Sequence, residues 1–244
     1  KNKKEFPNAK IFWLTNYPDL VPEREVFKVM KYSHEAILQI MDMNFDIVYS
    51  LDKDAYACAL ANMVKSKVKK GFSQDNGVII PFDENANEKW KTGIFDDVGK
   101  ANTKHYMQEI FEICGFDYQG EPYLLPDFKV PKVDVDTSKK VVILNTGAGN
   151  LWKPRIYSVG GWIMLAKMLK KANYEVIIVG GPEEKDKNPI IAKKSGAKYF
   201  GIFPFREFIG LVSLGDIVVS SVTFGFHVAA ALNKKIVLLN NTFN

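Results

Sequence analysis

Ser220-Ser221-Val222-Thr223-Phe224-Gly225-Phe226-His227-Val228-Ala229-Ala230-Ala231-Leu232 is the stretch whose reading decides the fold. The apolar run Ile217-Val218-Val219 leads into it as a buried strand, and a small-residue helix, Val228 to Leu232, leads out. Between them lies a short turn with two hydroxyls, a glycine and a histidine. A strand that turns sharply into a helix leaves the helix's first N–H groups unpaired, and the helix dipole makes that end attractive to an anion. Thr223 adds a hydroxyl donor, His227 an imidazole, and Gly225 permits close approach to the backbone. Two readings of this stretch stand side by side: an anion site, and an ordinary strand–helix connection with a structural histidine.

Working outward, the second half of the chain repeats the same alternation. Val141 to Asn145, Tyr174 to Val179, Ile217 to Ser220 and Ile236 to Leu239 read as strands. Trp162 to Lys171, Lys187 to Ser195 and Phe205 to Leu214 read as helices. Continuous Val/Ile strands alternating with helices imply a parallel sheet covered on both faces. The first half alternates similarly. Strands are expected at Ala9–Thr15, Val26–Val29, Phe45–Leu51, Val68–Phe72 and Val78–Ile80. Helices are expected at His34–Met43, at Ala55–Val64 with Asp52 or Asp54 as cap, and at Lys104–Cys114 with Asn102 or Thr103 as cap. Lys1 to Pro7 reads as the tail of a helix. Tyr118 to Lys140, carrying Pro122, Pro126 and Pro131, has no periodic run and reads as a connection between domains. The expected division is a domain over 1–125, a linker over 126–140 and a domain over 141–244.

Composition narrows the function classes. With 244 residues, 47% of them hydrophobic, the chain can bury a sizeable core. The net charge of +5 permits an anionic ligand or a membrane surface and does not call for nucleic acid. Its two cysteines, Cys58 and Cys114, lie far apart and form neither a metal spacing nor a disulfide framework, which fits a cytoplasmic location. No apolar run reaches the ~18 residues of a membrane span.

In open α/β sheets, ligands bind beyond the carboxyl ends of the strands. Three loops of the second half belong there: Thr146 to Gly149, Gly180 to Glu184, and Ser221 to His227. All are rich in Gly, hydroxyls or carboxylates, and together they point to a nucleotide. Thr146 and the amides around Gly147 and Gly149 suit a phosphate. Gly181 belongs to the middle loop, whose Glu184 suits ribose hydroxyls. Arg155 suits a diphosphate held by a bidentate fork. There is no Gly-x-x-x-x-Gly-Lys-Ser/Thr loop, which disfavours a P-loop ATPase, and the first strand carries no Gly-x-Gly-x-x-Gly.

These residues carry a resemblance. Asn145-Thr146-Gly147-Ala148-Gly149 with Trp152-Lys153-Pro154-Arg155, Val179-Gly180-Gly181-Pro182-Glu183-Glu184, and Thr223-Phe224-Gly225-Phe226-His227-Val228-Ala229 match, in order, three motifs of glycosyltransferase family 9, the ADP-heptose:lipopolysaccharide heptosyltransferases and their relatives. In the first half, Phe45-Asp46-Ile47-Val48, Leu51-Asp52-Lys53-Asp54 and Lys69-Lys70-Gly71-Phe72 resemble the family's N-terminal domain. The resemblance implies a GT-B-like α/β architecture, two Rossmann-like domains with parallel sheets facing a cleft. It also implies metal-independent transfer of a heptose-like sugar, without a cofactor, from a nucleotide-diphosphate donor to a glycolipid or glycan acceptor. Thr146, Gly147, Gly149, Arg155, Gly181, Glu184, Thr223, Gly225 and His227 would contact the donor.

Three departures qualify it. The family's acid before the threonine is Val222 here, and its lysine in the first motif is Arg155. Its catalytic Asp follows a first strand not found in this sequence, so the expected N-terminal domain lacks its first strand and helix and no catalytic residue is assigned. A non-catalytic nucleotide-sugar-binding relative and a sugar epimerase on the same scaffold are the alternatives.

Overall fold

The computed structural model describes residues 5–147 and 156–239. The chain forms two compact units, one of Lys1–Pro18 with Val26–Glu121 and one of Asp19–Glu25 with Pro122–Asn244.

In the first unit, β1 (Phe12–Thr15) pairs in parallel with β2 (Lys28–Lys31). Helix α1 (His34–Asp42) begins at Ser33, whose Oγ accepts from the Ala36 N–H, and leads into β3 (Asn44–Ser50). Helix α2 (Ala55–Met63) then connects β3 to its parallel neighbour β4 (Lys65–Asp75). Of the two candidate caps, Asp54 is the one used: its Oδ1 accepts from Tyr56 and Ala57 N–H at 3.0 and 3.1 Å. The parallel alternation expected of this half stops at β5 (Val78–Pro81), which returns antiparallel to β4. The reason is the turn Asn76-Gly77, with φ of 47° and 82°. Both residues are left-handed, as a tight hairpin whose twist matches its strands requires.

Short helices α3 (Asn87–Lys91) and α4 (Asp96–Ala101) occupy the stretch expected to be irregular, and Trp90 anchors it by donating Nε1–H to Ile79 O at 2.6 Å. Helix α5 (Tyr106–Ile113) starts later than expected. His105, not Asn102 or Thr103, caps it by accepting from the Gln108 N–H, while Asn102 Oδ1 accepts from the Lys104 N–H at 3.0 Å ahead of the helix. Both cysteines are free, and burial pushes the Cys114 thiol up to about 11.

The second unit is one five-stranded sheet, β6 (Val141–Asn145), β7 (Glu175–Val179), β8 (Lys198–Tyr199), β9 (Ile217–Ser220) and β10 (Lys235–Leu238), in the order β10-β9-β6-β7-β8. Every neighbouring pair is parallel. Strands β6 and β7 are buried along their whole length, so both faces are covered. One face holds Val141, Ile143, Ile177, Ile209 and Leu211, and the other Val142, Leu144, Trp162, Ile178 and Ile191. Helices α6 (Val159–Lys171), α7 (Lys187–Ser195), α8 (Phe205–Ser213) and α9 (Phe224–Ala231) connect the strands. Helix α6 starts three residues before the expected Trp162, at Val159, capped by Ser158, whose Oγ accepts from the Gly161 N–H. Helix α9 starts four residues before the expected Val228.

Residues 122 to 136 have no regular structure, yet Leu125, Val133 and Val135 pack on the core of this sheet. Leu20 packs there too, and Arg206 holds the same segment by donating to Asp19 O at 3.1 Å and to Glu23 at 2.8 Å. No helix among the described residues is long and apolar enough to cross a membrane.

Candidate functional site

The strand order of the second unit reverses direction at β6. The chain steps outward through β7 and β8, then returns to β9 on the other side of β6. Adjacent connections therefore leave in opposite directions above the β6/β9 pair, which opens a crevice at their carboxyl ends. Register fixes what lies there: Asn145, the last residue of β6, is the partner of Ser220, the last residue of β9.

The crevice floor is a network of side-chain hydrogen bonds. Asn145 is 4% exposed, and its Nδ2 donates to Ser220 Oγ at 2.8 Å and to Thr223 Oγ1 at 2.9 Å. Ser220 donates its own hydroxyl to Ser221 O at 2.7 Å. Ser221 Oγ donates to Gly147 O at 3.2 Å and so ties the loop after β6 to the loop after β9. Thr223 is the N-cap residue of α9 in extended conformation, and its side chain makes no capping bond. Its carbonyl accepts from the Phe226 and His227 N–H groups. The earlier amides of this turn have no acceptor within the helix.

Gly225 sits directly over Asn145. A Cβ there would lie 2.6 Å from Asn145 Nδ2, so glycine at this position makes room for the amide beneath it. His227, half-buried, places Nδ1 at 3.2 Å from the Tyr123 hydroxyl, and desolvation lowers its pKa, favouring the neutral imidazole.

The loop after β7 is fixed by charge. Glu184 is 6% exposed; its Oε2 accepts from the Gly181 N–H at 2.9 Å and its Oε1 lies 3.3 Å from Lys187 Nζ. Lys187 also donates to Thr146 O at 3.1 Å, joining the loops after β6 and β7. Thr146 turns its hydroxyl inward, donating to Asn188 Oδ1 at 2.5 Å. Gly147 leaves space for the Glu184 carboxylate, which a Cβ would approach at 3.2 Å.

The structure thus brings Thr146, Gly147, Gly181 and Glu184 together through Lys187, and ties Gly147 to Thr223, Gly225 and His227 through Ser221 and Asn145. Gly149 and Arg155 lie outside the described residues. Lys187 and Asn188 are members that motif reading passed over, and Asn145 stood in the first motif without an assigned role. Asn145 had a signal, a polar residue closing the apolar strand Val-Val-Ile-Leu. Lys187 had one in its spacing of three from Glu184. Among the described residues there is no group of three or more His, Cys, Asp or Glu side chains able to hold a metal ion.

Three solved structures share this fold. The E. coli ADP-heptose LPS heptosyltransferase II superposes with a TM-score of 0.64 at 13% identity, covering 97% of this chain and 77% of that one. A family 9 glycosyl transferase from Veillonella parvula gives 0.70 at 12% identity, covering 99% and 75%. E. coli heptosyltransferase WaaC with ADP gives 0.61 at 15% identity, covering 97% and 79%. No curated protein sequence matches the chain. The sequence profile of glycosyltransferase family 9 (heptosyltransferase) matches residues 35–241, most of the 244 residues, and the chain belongs to that family.

Proposed function

We propose that this chain transfers heptose, or a similar sugar, from a nucleotide-diphosphate donor of the ADP-heptose kind to a lipopolysaccharide or other surface-glycan acceptor, with inversion and without a metal. One observation carries the reading of the site. At the β6/β9 switch point, Thr223 is the N-cap residue of α9 and His227 stands in the helix's first turn, an arrangement suited to the charge of a leaving diphosphate. Family membership supports the chemistry, and the WaaC structures with ADP and with ADP-2-deoxy-2-fluoro heptose support the donor class.

The acceptor hydroxyl attacks the anomeric carbon from the face opposite the leaving group. The new C–O bond forms as the bond to the diphosphate breaks; ADP departs with the electron pair, and the hydroxyl proton passes to a general base to which no residue of this chain is assigned. Thr223 and the α9 amides stabilise that charge, and the family motif assigns Gly147, Gly149 and Arg155 to the same diphosphate. Glu184, fixed by Lys187 and the Gly181 amide, presents a carboxylate to the ribose hydroxyls. The net charge of +5 permits peripheral contact with an anionic membrane face, where a glycolipid acceptor would be reached from the cytoplasm.

The test is ADP release from ADP-heptose, measured with and without a lipopolysaccharide-core acceptor, in EDTA. Acceptor-dependent release that survives chelation is the expected result. Release that vanishes in EDTA refutes the metal-free mechanism. Tight donor binding with no release supports the second reading, a nucleotide-sugar-binding relative that does not transfer, which Val222 at the mouth of α9 favours.

A further inference from the structure

We propose that Asn145 is a positioning residue that makes Thr223 an obligate hydrogen-bond donor to the diphosphate. This rests on the reading of the switch point given above and assigns a role to a side chain that does not itself reach the ligand. Three observations converge on it. Asn145 is 4% exposed, so it faces the protein and not the crevice. Both its contacts on this side are hydroxyls, Ser220 at 2.8 Å and Thr223 at 2.9 Å. Gly225 is held clear of the same amide, where a Cβ would come within 2.6 Å of Nδ2.

The directions of these bonds follow from counting protons. The fully buried Ser220 sends its one hydroxyl proton to Ser221 O at 2.7 Å, so toward Asn145 it can only accept. The Asn145 group facing it is therefore the NH2. The second proton of that NH2 goes to Thr223 Oγ1 and occupies a lone pair of the threonine. Within the network the Thr223 proton has one acceptor, Ser220 Oγ at 3.3 Å, well beyond the ~2.7–2.8 Å usual between hydroxyls. A phosphate oxygen at the α9 N-terminus is charged and closer to ideal, so it takes that proton. Carboxamide chemistry matters here. A carboxylate at 145 would accept from both hydroxyls and consume the Thr223 proton. An apolar residue would leave the threonine free to rotate.

The experiment is a double-mutant cycle on the full chain. ADP and adenosine affinities are measured by calorimetry for wild type, Thr223→Val, Asn145→Leu, and the pair. Asn145→Asp is added as a second, isosteric variant, and circular dichroism checks that each protein is folded. Thr223→Val is expected to weaken ADP by roughly 10- to 100-fold, the range of a hydrogen bond to a charged group, with adenosine little changed. Asn145→Leu and Asn145→Asp are expected to weaken ADP selectively, and Asn145→Leu to cost almost nothing further once Thr223 is valine. Thr223→Ser, which keeps the hydroxyl, should restore both ADP affinity and its sensitivity to residue 145. Full additivity of the Asn145 and Thr223 losses, or equal losses of ADP and adenosine in the Asn145 variants, overturns the positioning role. If Thr223→Val itself leaves ADP binding unchanged, the diphosphate reading of the switch point fails and takes this inference with it.

Discussion

Removing the charge of Lys187 tests whether the loops after β6 and β7 are held by one ion pair. Lys187 Nζ lies 3.3 Å from Glu184 Oε1 and 3.1 Å from Thr146 O. At that separation, the gross attraction at an effective dielectric constant of about 20 is about 5 kcal/mol. Desolvation of the two groups cancels much of it. The informative quantity is what breaking the pair costs, because Glu184 stays behind with its side chain only 8% exposed. Stranding a fully buried charge costs about 3–5 kcal/mol. The Lys187 side chain keeps 24% exposure, so water screens part of this, and about 1.5–3 kcal/mol is the expected loss for Lys187→Met. For a chain of this size that lowers the melting temperature by about 3–12 °C. Glu184→Gln combined with Lys187→Met removes both charges and should regain most of the loss. Scanning calorimetry on the four proteins of the cycle reads the coupling. Equal cost of Lys187→Met with Glu184 and with Gln at 184 refutes the argument, because Lys187 would then act through packing and its bond to Thr146 alone.

Two further outcomes follow from the loop after β9. His227 titrates below its ordinary value of 6.5 because burial disfavours the imidazolium. The native state then binds the proton less readily than the unfolded chain. The His227 contribution to stability is therefore complete above about pH 6.5 and is lost as pH falls through the depressed value. An NMR titration of the imidazole, with acid unfolding of His227→Gln alongside, checks this, and a midpoint above 6.5 contradicts it. Val222→Asp should tighten binding of the nucleotide sugar more than binding of ADP, by giving the sugar hydroxyls a carboxylate; an unchanged affinity ratio in competition binding excludes that role.

The strands of the second unit were legible because burial on both faces demands unbroken Val/Ile runs, and β6, β7 and β9 fall within the stretches so read. Helix starts were harder to place. Phe224-Gly225-Phe226 looks like a turn because glycine is a poor helix former, yet α9 already includes it, the glycine serving clearance over Asn145. Gly160-Gly161 hid the first turn of α6 in the same way, although Ser158 was present to cap it. The Asn76-Gly77 hairpin carried a readable signal, and its cost was the antiparallel return of β5. β8 is two residues long, too short for any periodicity to show. In the site, the motif residues were visible as types, but their partners were not. Thr146 meets Asn188 and Asn145 meets Thr223 across 42 and 78 positions of sequence, and only strand register brings them together.

That register also divides the hydroxyls of the crevice by what they can do. Thr146 sends its proton inward to Asn188, Ser220 to Ser221 O, and Ser221 to Gly147 O. The Thr146 and Ser221 bonds cross-link the end of β6 to α7 and to the loop after β9, while the Ser220 bond stays within the β9 end. They satisfy polar groups at 0–4% exposure that would otherwise cost about 1–3 kcal/mol each if left unmade. Ser221 in particular gives its proton to Gly147 O and is 4% exposed, so it offers a sugar no donor. Thr223, like Ser220, has a lone pair occupied by Asn145, but it differs from the other three in that its proton meets no acceptor in the network nearer than Ser220 Oγ at 3.3 Å. The floor of the crevice is thus built from neutral hydroxyls and an amide, while its nearest carboxylate, Glu184, is compensated by Lys187 on the β7 side. A diphosphate reaching the α9 N-terminus meets donors and a helix dipole with no uncompensated carboxylate beside them. On the proposed reading, valine at 222 leaves that electrostatic preference for phosphate intact and subtracts from the sugar end of the donor alone.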